Sequence, residues 1–159
     1  MIEKLGTLNV VSGAIMASDP CYGTDVWCLS KIEGVLNGTY NAKIIIKDCD
    51  EWGKRVSVLQ ILHTDYKKKD LKKEYDSCCG VDSGTFCFSD YQYYTDYHTE
   101  KDVDDDWYDD WVCGMDYNGH IVEDKMAMSR SGFGDGGYNV YVLREKKNGY
   151  IVGAYVEFM

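Results

Sequence analysis

The chain has 159 residues, 45% hydrophobic and 14% aromatic, with 17 Lys plus Arg against 27 Asp plus Glu and a formal net charge of −10. So much apolar side chain excludes an intrinsically disordered segment, and no run approaches the ~18 consecutive apolar residues of a membrane helix. The acidic balance opposes direct binding to a nucleic-acid backbone, which rests on Lys and Arg displacing counterions.

The length fits a single domain, 1–159, burying about 68–70% of the surface its unfolded chain exposes. The opening "MIEKLGTLNV" carries Glu3 and Lys4 and no apolar signal core, so a soluble, cytoplasmic chain with no membrane contact is expected. "KLGTLNVVSG" alternates apolar and polar residues with period two, the mark of a strand covered on one face. It leads through a Ser12-Gly13 turn into "AIMASDP", and the pair reads as a first hairpin, with Pro20 marking the turn after it.

"GTYNAKIIIKD" sets Tyr40, Ala42, Ile44 and Ile46 on one face, and "KRVSVLQILH" sets Val56, Val58 and Gln60 opposite Leu59 and Ile61. The basic cluster "YKKKDLKK", Tyr66 to Lys73, is interrupted by Asp70 and flanked by Asp65 and Glu74, so it reads as a solvated loop or short helix. "GTFCFSD" alternates Phe86 with Phe88, whereas "SDYQYYTDYHTEKD" has no clean period and reads as loop with helical turns. "DDDWYDDWVC", Asp104 to Cys113, places Trp107, Tyr108, Trp111 and Val112 on a helical stripe behind aspartates suited to an N-cap and to the helix dipole. "GYNVYVLRE", with Tyr138, Val140 and Val142 on one face, and "GYIVGAYVEFM" form a closing hairpin across "KKNG", where Asn148-Gly149 suits a tight turn. The fold expected is mainly β with a minor α part: an antiparallel β-sandwich or roll with one short helix near 104–113.

Seven cysteines without a C-x-x-C pair read as reduced thiols, Cys87 among them as a small hydrophobe. Asp102, Asp104, Asp106 and Tyr108 fall at the first, third, fifth and seventh positions of a calcium loop, but Trp107 stands where Gly is needed and Cys113 where a bidentate Glu is required. His63, His98 and His120 lack zinc spacing, and "HTD" at His63 to Asp65 is more simply a hydrogen-bonded strand end than an oriented base. No metal or cofactor is expected.

"SGFGDGGY", Ser131 to Tyr138, has G-x-G-x-x-G spacing but runs into a strand instead of a helix, which removes the dinucleotide reading. What survives is a glycine-rich loop able to turn sharply and present backbone N–H groups to a small nucleotide-like ligand. Its candidate residues are Ser131, Gly132, Gly134, Asp135, Gly136 and Tyr138, although Asp135 opposes an anion and the glycines serve equally as turn residues. Asp19, Asp82, Asp90 and Asp135 sit at strand ends where a carboxylate-dependent hydrolase would gather them; each alone is a turn aspartate.

Taken in order, "LGTLNVVSGAIMASDPCY", "NGTYNAKI", "GVDSGTFCFSD" and "SGFGDGGYNVYV" resemble a bacterial and phage family of uncharacterised proteins, a domain of unknown function. Its pattern is a G-x-L-x-V-x-S-G-x-I opening with a following D-P, a V-D-S-G segment and a late S-G-x-G-D-G-x-Y. The resemblance spans nearly the whole chain and implies a part in conflict between phage and host or toxin and immunity protein. The chain departs from the pattern in its Tyr- and Asp-rich insert, Tyr91 to Asp110.

The expected function is that of a non-catalytic acidic binding protein, a phage or mobile-element inhibitor that sequesters a host protein. Asp102, Asp104, Asp105, Asp106, Trp107, Asp109 and Asp110 would meet a basic protein surface, the aromatics supplying contact area at low entropic cost. The alternatives are sequestration of a nucleotide-like ligand on the 131–138 loop and the carboxylate hydrolase. Free strand edges make a homodimer an expected arrangement.

Overall fold

The structure, a computed structural model, describes residues 1–100 and 118–159. In chain order the strands are β1 (Ile2–Val10), β2 (Ala14–Ser18), β3 (Ser30–Glu33), β4 (Gly38–Asp48), β5 (Lys54–His63), β6 (Lys72–Val81) and β7 (Thr85–Asp90). A helix α1 (Tyr91–Glu100) follows, then β8 (Gly119–Val122), β9 (Met126–Arg130), β10 (Gly136–Arg144) and β11 (Ile151–Glu157). They form two sheets of antiparallel pairs, ordered β1-β4-β5-β11-β10-β6 and β3-β2-β7-β9-β8. The mainly β fold is therefore consistent with a β-sandwich.

Period-two alternation builds the space between the sheets. Tyr40, Ala42, Ile44 and Ile46 of β4 point inward together with Leu59 and Ile61 of β5 and Val140 and Val142 of β10, against Phe86 and Phe88 of the other sheet. Phe86 meets Phe88 and Phe158 edge to face at 5.4 and 6.0 Å, a geometry worth about 0.5–1.5 kcal/mol per pair beyond the area buried. All six residues of β7 are buried because its other face is covered as well. There Met16, Cys87, Met126 and Met128 pack with Tyr94 of α1 in a second cluster. Cys87 thus serves as the small hydrophobe its neighbours implied.

The strand edges of the two sheets approach each other. Beside β1, Asn9 N donates to Asp124 O at 2.7 Å; beside β6, Gly80 N donates to Cys28 O at 2.9 Å and Ser30 Oγ to Asp76 Oδ2 at 2.6 Å. Edges tied in this way offer fewer open backbone groups to another strand.

Four local readings change. Ser12-Gly13 is not a hairpin turn: β1 and β2 lie in different sheets, and Gly13, with φ at +70°, turns the corner between them. In β5 the alternation breaks at Ser57, because Ile45 pairs with Val58 and Ile46 with Val56. This bulge sends Val56 into the core with Leu59 and Ile61 and leaves Val58 on the other side.

The closing hairpin exists, but its connection runs from Glu145 to Tyr150 and only Gly149 has positive φ (+78°). Glu145 organises it, its carboxylate accepting the N–H groups of Lys147, Asn148 and Tyr150 at 2.9, 2.6 and 3.2 Å. Finally, the Tyr-rich stretch is a helix, capped by Asp90, whose Oδ2 accepts the N–H of Tyr93 at 3.1 Å. The helix expected near 104–113 lies outside the described residues.

Candidate functional site

Asp19 follows β2 and is fully buried. Its Oδ1 accepts Cys21 N at 2.7 Å and Ser83 Oγ at 2.8 Å, and its Oδ2 accepts the N–H groups of Asp82 and Ser83, both at 2.7 Å. A buried carboxylate costs little only when its lone pairs are matched in this way. The consequence is geometric: one side chain locks the loop after β2 to the turn between β6 and β7. Ser131 N then donates to Gly84 O at 3.1 Å, which joins the glycine-rich loop to the same turn. The D-P, V-D-S-G and S-G-x-G-D-G-x-Y segments, far apart in the chain, thus meet at one end of the sandwich.

Between them opens a cleft of about 600 Å³, lined by Tyr22, Trp27, Cys28, Asp82, Asp135, Gly136 and Gly137 among others. Gly80 of β6 also lines it, and a Cβ there would stand 2.8 Å from Cys28 Sγ, so the loop before β3 comes this close to β6 because no side chain intervenes. Trp27 is 92% exposed on the rim. Tyr22 donates its hydroxyl to Asp82 Oδ2 at 2.5 Å. Burial, the Asp82 carboxylate and Cys28 beside it hold the Tyr22 hydroxyl well above its ordinary pKa, so it remains a neutral donor. Among the described residues the cleft lining contains two carboxylates and no lysine, arginine or histidine.

Three thiols around this end, Cys21, Cys79 and Cys87, are held in the protonated form. Burial, and then Asp19, pushes Cys21 up to about 12, and burial pushes Cys79 up to about 11 and Cys87 well above 9.0. A reactive cysteine needs the opposite shift, towards thiolate.

The glycine-rich loop is in part a self-bonded turn. Ser131 and Gly132 are buried, Gly134 N donates to Ser131 O at 2.8 Å, and Ser131 Oγ returns a bond to Gly134 O at 2.9 Å. Tyr138 donates its hydroxyl to Gly134 O at 2.6 Å, and Gly132 takes φ +56°. Of the six loop candidates, Asp135 and Gly136 line the cleft, while Ser131, Gly132, Gly134 and Tyr138 hold the turn. On the other flank Phe133 meets Trp52 edge to face at 6.3 Å, with Arg55 over its ring at 5.6 Å.

The four aspartates divide. Asp19 and Asp90 are buried in structural roles; Asp90 Oδ1 accepts Val11 N, Ser12 N and Ser12 Oγ at 2.8, 3.0 and 2.8 Å. Asp82 and Asp135 share the cleft. His63 is likewise a strand-end residue, accepting Asp65 N at 3.1 Å and lying 3.3 Å from Asn37 O. Asp102, Asp104, Asp105, Asp106, Trp107, Asp109 and Asp110, with the calcium-like spacing, lie outside the described residues. Among the described residues no group of three His, Cys, Asp or Glu side chains could hold a metal ion, and no helix is long and apolar enough to cross a membrane.

Tyr22, Trp27 and Cys28 were not indicated by pattern, because they stand in an irregular loop between β2 and β3. The one available signal was two aromatics beside cysteines in "CYGTDVWC".

Fold and site together define a β-rich protein with an acidic, aromatic-rimmed cleft at one end. The chain matches the model of the family described as "Protein of unknown function (DUF4241)" over residues 8–153, and it belongs to that family. No curated protein and no solved structure matches it.

Proposed function

We propose that the protein is a non-catalytic binding protein that takes a cationic segment of a partner protein into the cleft between Asp82, Asp135 and Trp27. The observation that carries this reading is the lining: two carboxylates, a neutral tyrosine donor and an exposed tryptophan, with no lysine, arginine or histidine among the described lining residues. A lysine or arginine side chain meets such a surface by charge-assisted hydrogen bonds and by stacking on the indole. A phosphate would meet two carboxylates there, which disfavours a nucleotide at the glycine-rich loop. In the setting implied by the sequence resemblance, such a protein acts as an inhibitor, occupying a basic surface that its target needs.

A second reading follows from the same pair. Asp82 and Asp135 share one cleft, as a carboxylate hydrolase requires, and this reading predicts turnover lost in Asp135→Asn with folding intact. The binding reading is tested by comparing proteins that co-purify with the wild type, with Asp82→Asn/Asp135→Asn and with an Asp104, Asp105, Asp106 neutralised chain. Loss of the same partners only in the cleft variant supports it; retention in the cleft variant and loss in the other moves the interface to the acidic segment.

A further inference from the structure

The outer face of the six-stranded sheet carries a feature of opposite character to the cleft. Register places Lys4 opposite Lys43, Lys43 opposite Gln60, Gln60 opposite Tyr155, Tyr155 opposite Tyr141 and Tyr141 opposite Tyr75. Directly opposed residues in antiparallel strands point the same way, so these six side chains form one row across the sheet. Tyr155 stacks on Tyr141 at 5.1 Å, and Tyr141 meets Tyr75 edge to face at 5.8 Å.

The lysine-rich connection before β6 is organised by this row. Lys68 Nζ stands 4.5 Å and Lys73 Nζ 5.3 Å from the centre of the Tyr155 ring, and Lys73 is 4.2 Å from that of Tyr141. One ring therefore gathers two ammonium groups, and the row brings Lys43 beside them. Burial, and then Lys43 and Lys73, lowers the Lys68 pKa, as crowded cations do. The neighbouring carboxylate, Glu157, is engaged by Lys73 at 3.8 Å; among the described residues no ion pair engages Lys43 or Lys68.

Beside the lysines lies a groove of about 290 Å³, opened at the β1 irregularity between Lys4 and Gly6. Lys4, Thr7, Asn41, Lys43 and Gln60 give it polar groups, and Leu62 an apolar one. A small, partly apolar recess with a few convergent polar groups is the usual form of a small-molecule site. Gathered cations select a multiply charged anion, and a phosphate monoester carries about −1.5 to −2 at neutral pH.

We propose that this face binds a phosphate-bearing small molecule, its phosphate held by Lys43 and Lys68 and its remainder lying in the groove beside Gln60 and Asn41. The site is independent of the acidic cleft and stands on the opposite electrostatic logic: the chain's net charge is negative, but Lys4, Lys43, Lys68 and Lys73 are grouped along one row of this face.

The test is amide-resolved NMR titration of the full chain with inorganic pyrophosphate, adenosine monophosphate, citrate and a single-stranded oligonucleotide, repeated with Lys43→Gln/Lys68→Gln. The expected result is saturable shifts at Lys43, Gln60 and Lys68 with the two phosphate compounds, and affinity about tenfold lower in the variant, the scale of one charge-assisted hydrogen bond. Wild-type shift mapping stands even if the variant folds poorly. Shifts confined to 132–137, equal affinity in a folded variant, or no saturation would overturn the proposal. So would binding of citrate without phosphate, or of the oligonucleotide alone.

Discussion

Asp19 accepts the Ser83 hydroxyl on one carboxylate oxygen at 2.8 Å and the Ser83 N–H on the other at 2.7 Å, joining segments 64 residues apart. That contact ties together two of the segments that border the cleft. Asp19→Asn keeps the shape but turns an amide NH₂ towards N–H donors. It should lower stability by about 2–3 kcal/mol in urea denaturation, the scale of lost bonds to a charged group. Asp82→Asn, at an exposed carboxylate, should change stability by less than about 1 kcal/mol.

Asp90 holds the other end, capping α1 and fixing the β1–β2 corner with the same carboxylate. Asp90→Ala should cost at least about 2 kcal/mol, more than a lone N-cap. Hydrogen exchange should accelerate at Val11, Ser12 and Tyr93 together. Asp90→Asn, which keeps an accepting oxygen, should recover part of the loss.

Gly132 has φ +56°, and a Cβ there would stand 3.0 Å from Phe158 Cβ. Gly132→Ala combines left-handed strain of about 1–2 kcal/mol with displacement of Phe158. Thermal denaturation should show a clear fall in Tm.

Glu145 predicts an acid-sensitive hairpin. Burial raises its pKa, but the N–H groups of Tyr150, Asn148 and Lys147 outweigh that and hold the carboxyl below its ordinary 4.5. A depressed folded-state pKa gives stability that is present above pH 4.5 and lost as pH falls through the folded value. Glu145→Gln should flatten that part of the stability profile.

Much of the fold was legible because Tyr40, Ala42, Ile44 and Ile46 alternate without interruption, as do Phe86 and Phe88. Val56 was not, since a bulge at Ser57 inverts the parity and depends on the partner strand. Helix α1 reads in the sequence only as loop with helical turns because Tyr91, Tyr94 and Tyr97 read as polar, and Asp90 as a turn residue, until Met16 and Met128 supply the surface that buries Tyr94. The glycine-rich loop was recognisable as a turn; that only its second half lines a cleft depends on Asp19 and on Tyr22 and Trp27, which no periodicity marks.

The central claim is most directly tested by titrating a short oligo-arginine peptide into the isotopically labelled chain. The account predicts saturable shifts at Gly80, Asp82, Gly136 and Gly137, weakened by salt and about tenfold weaker in Asp82→Asn/Asp135→Asn. Shifts absent from these residues, or affinity unchanged in that double variant, would contradict it.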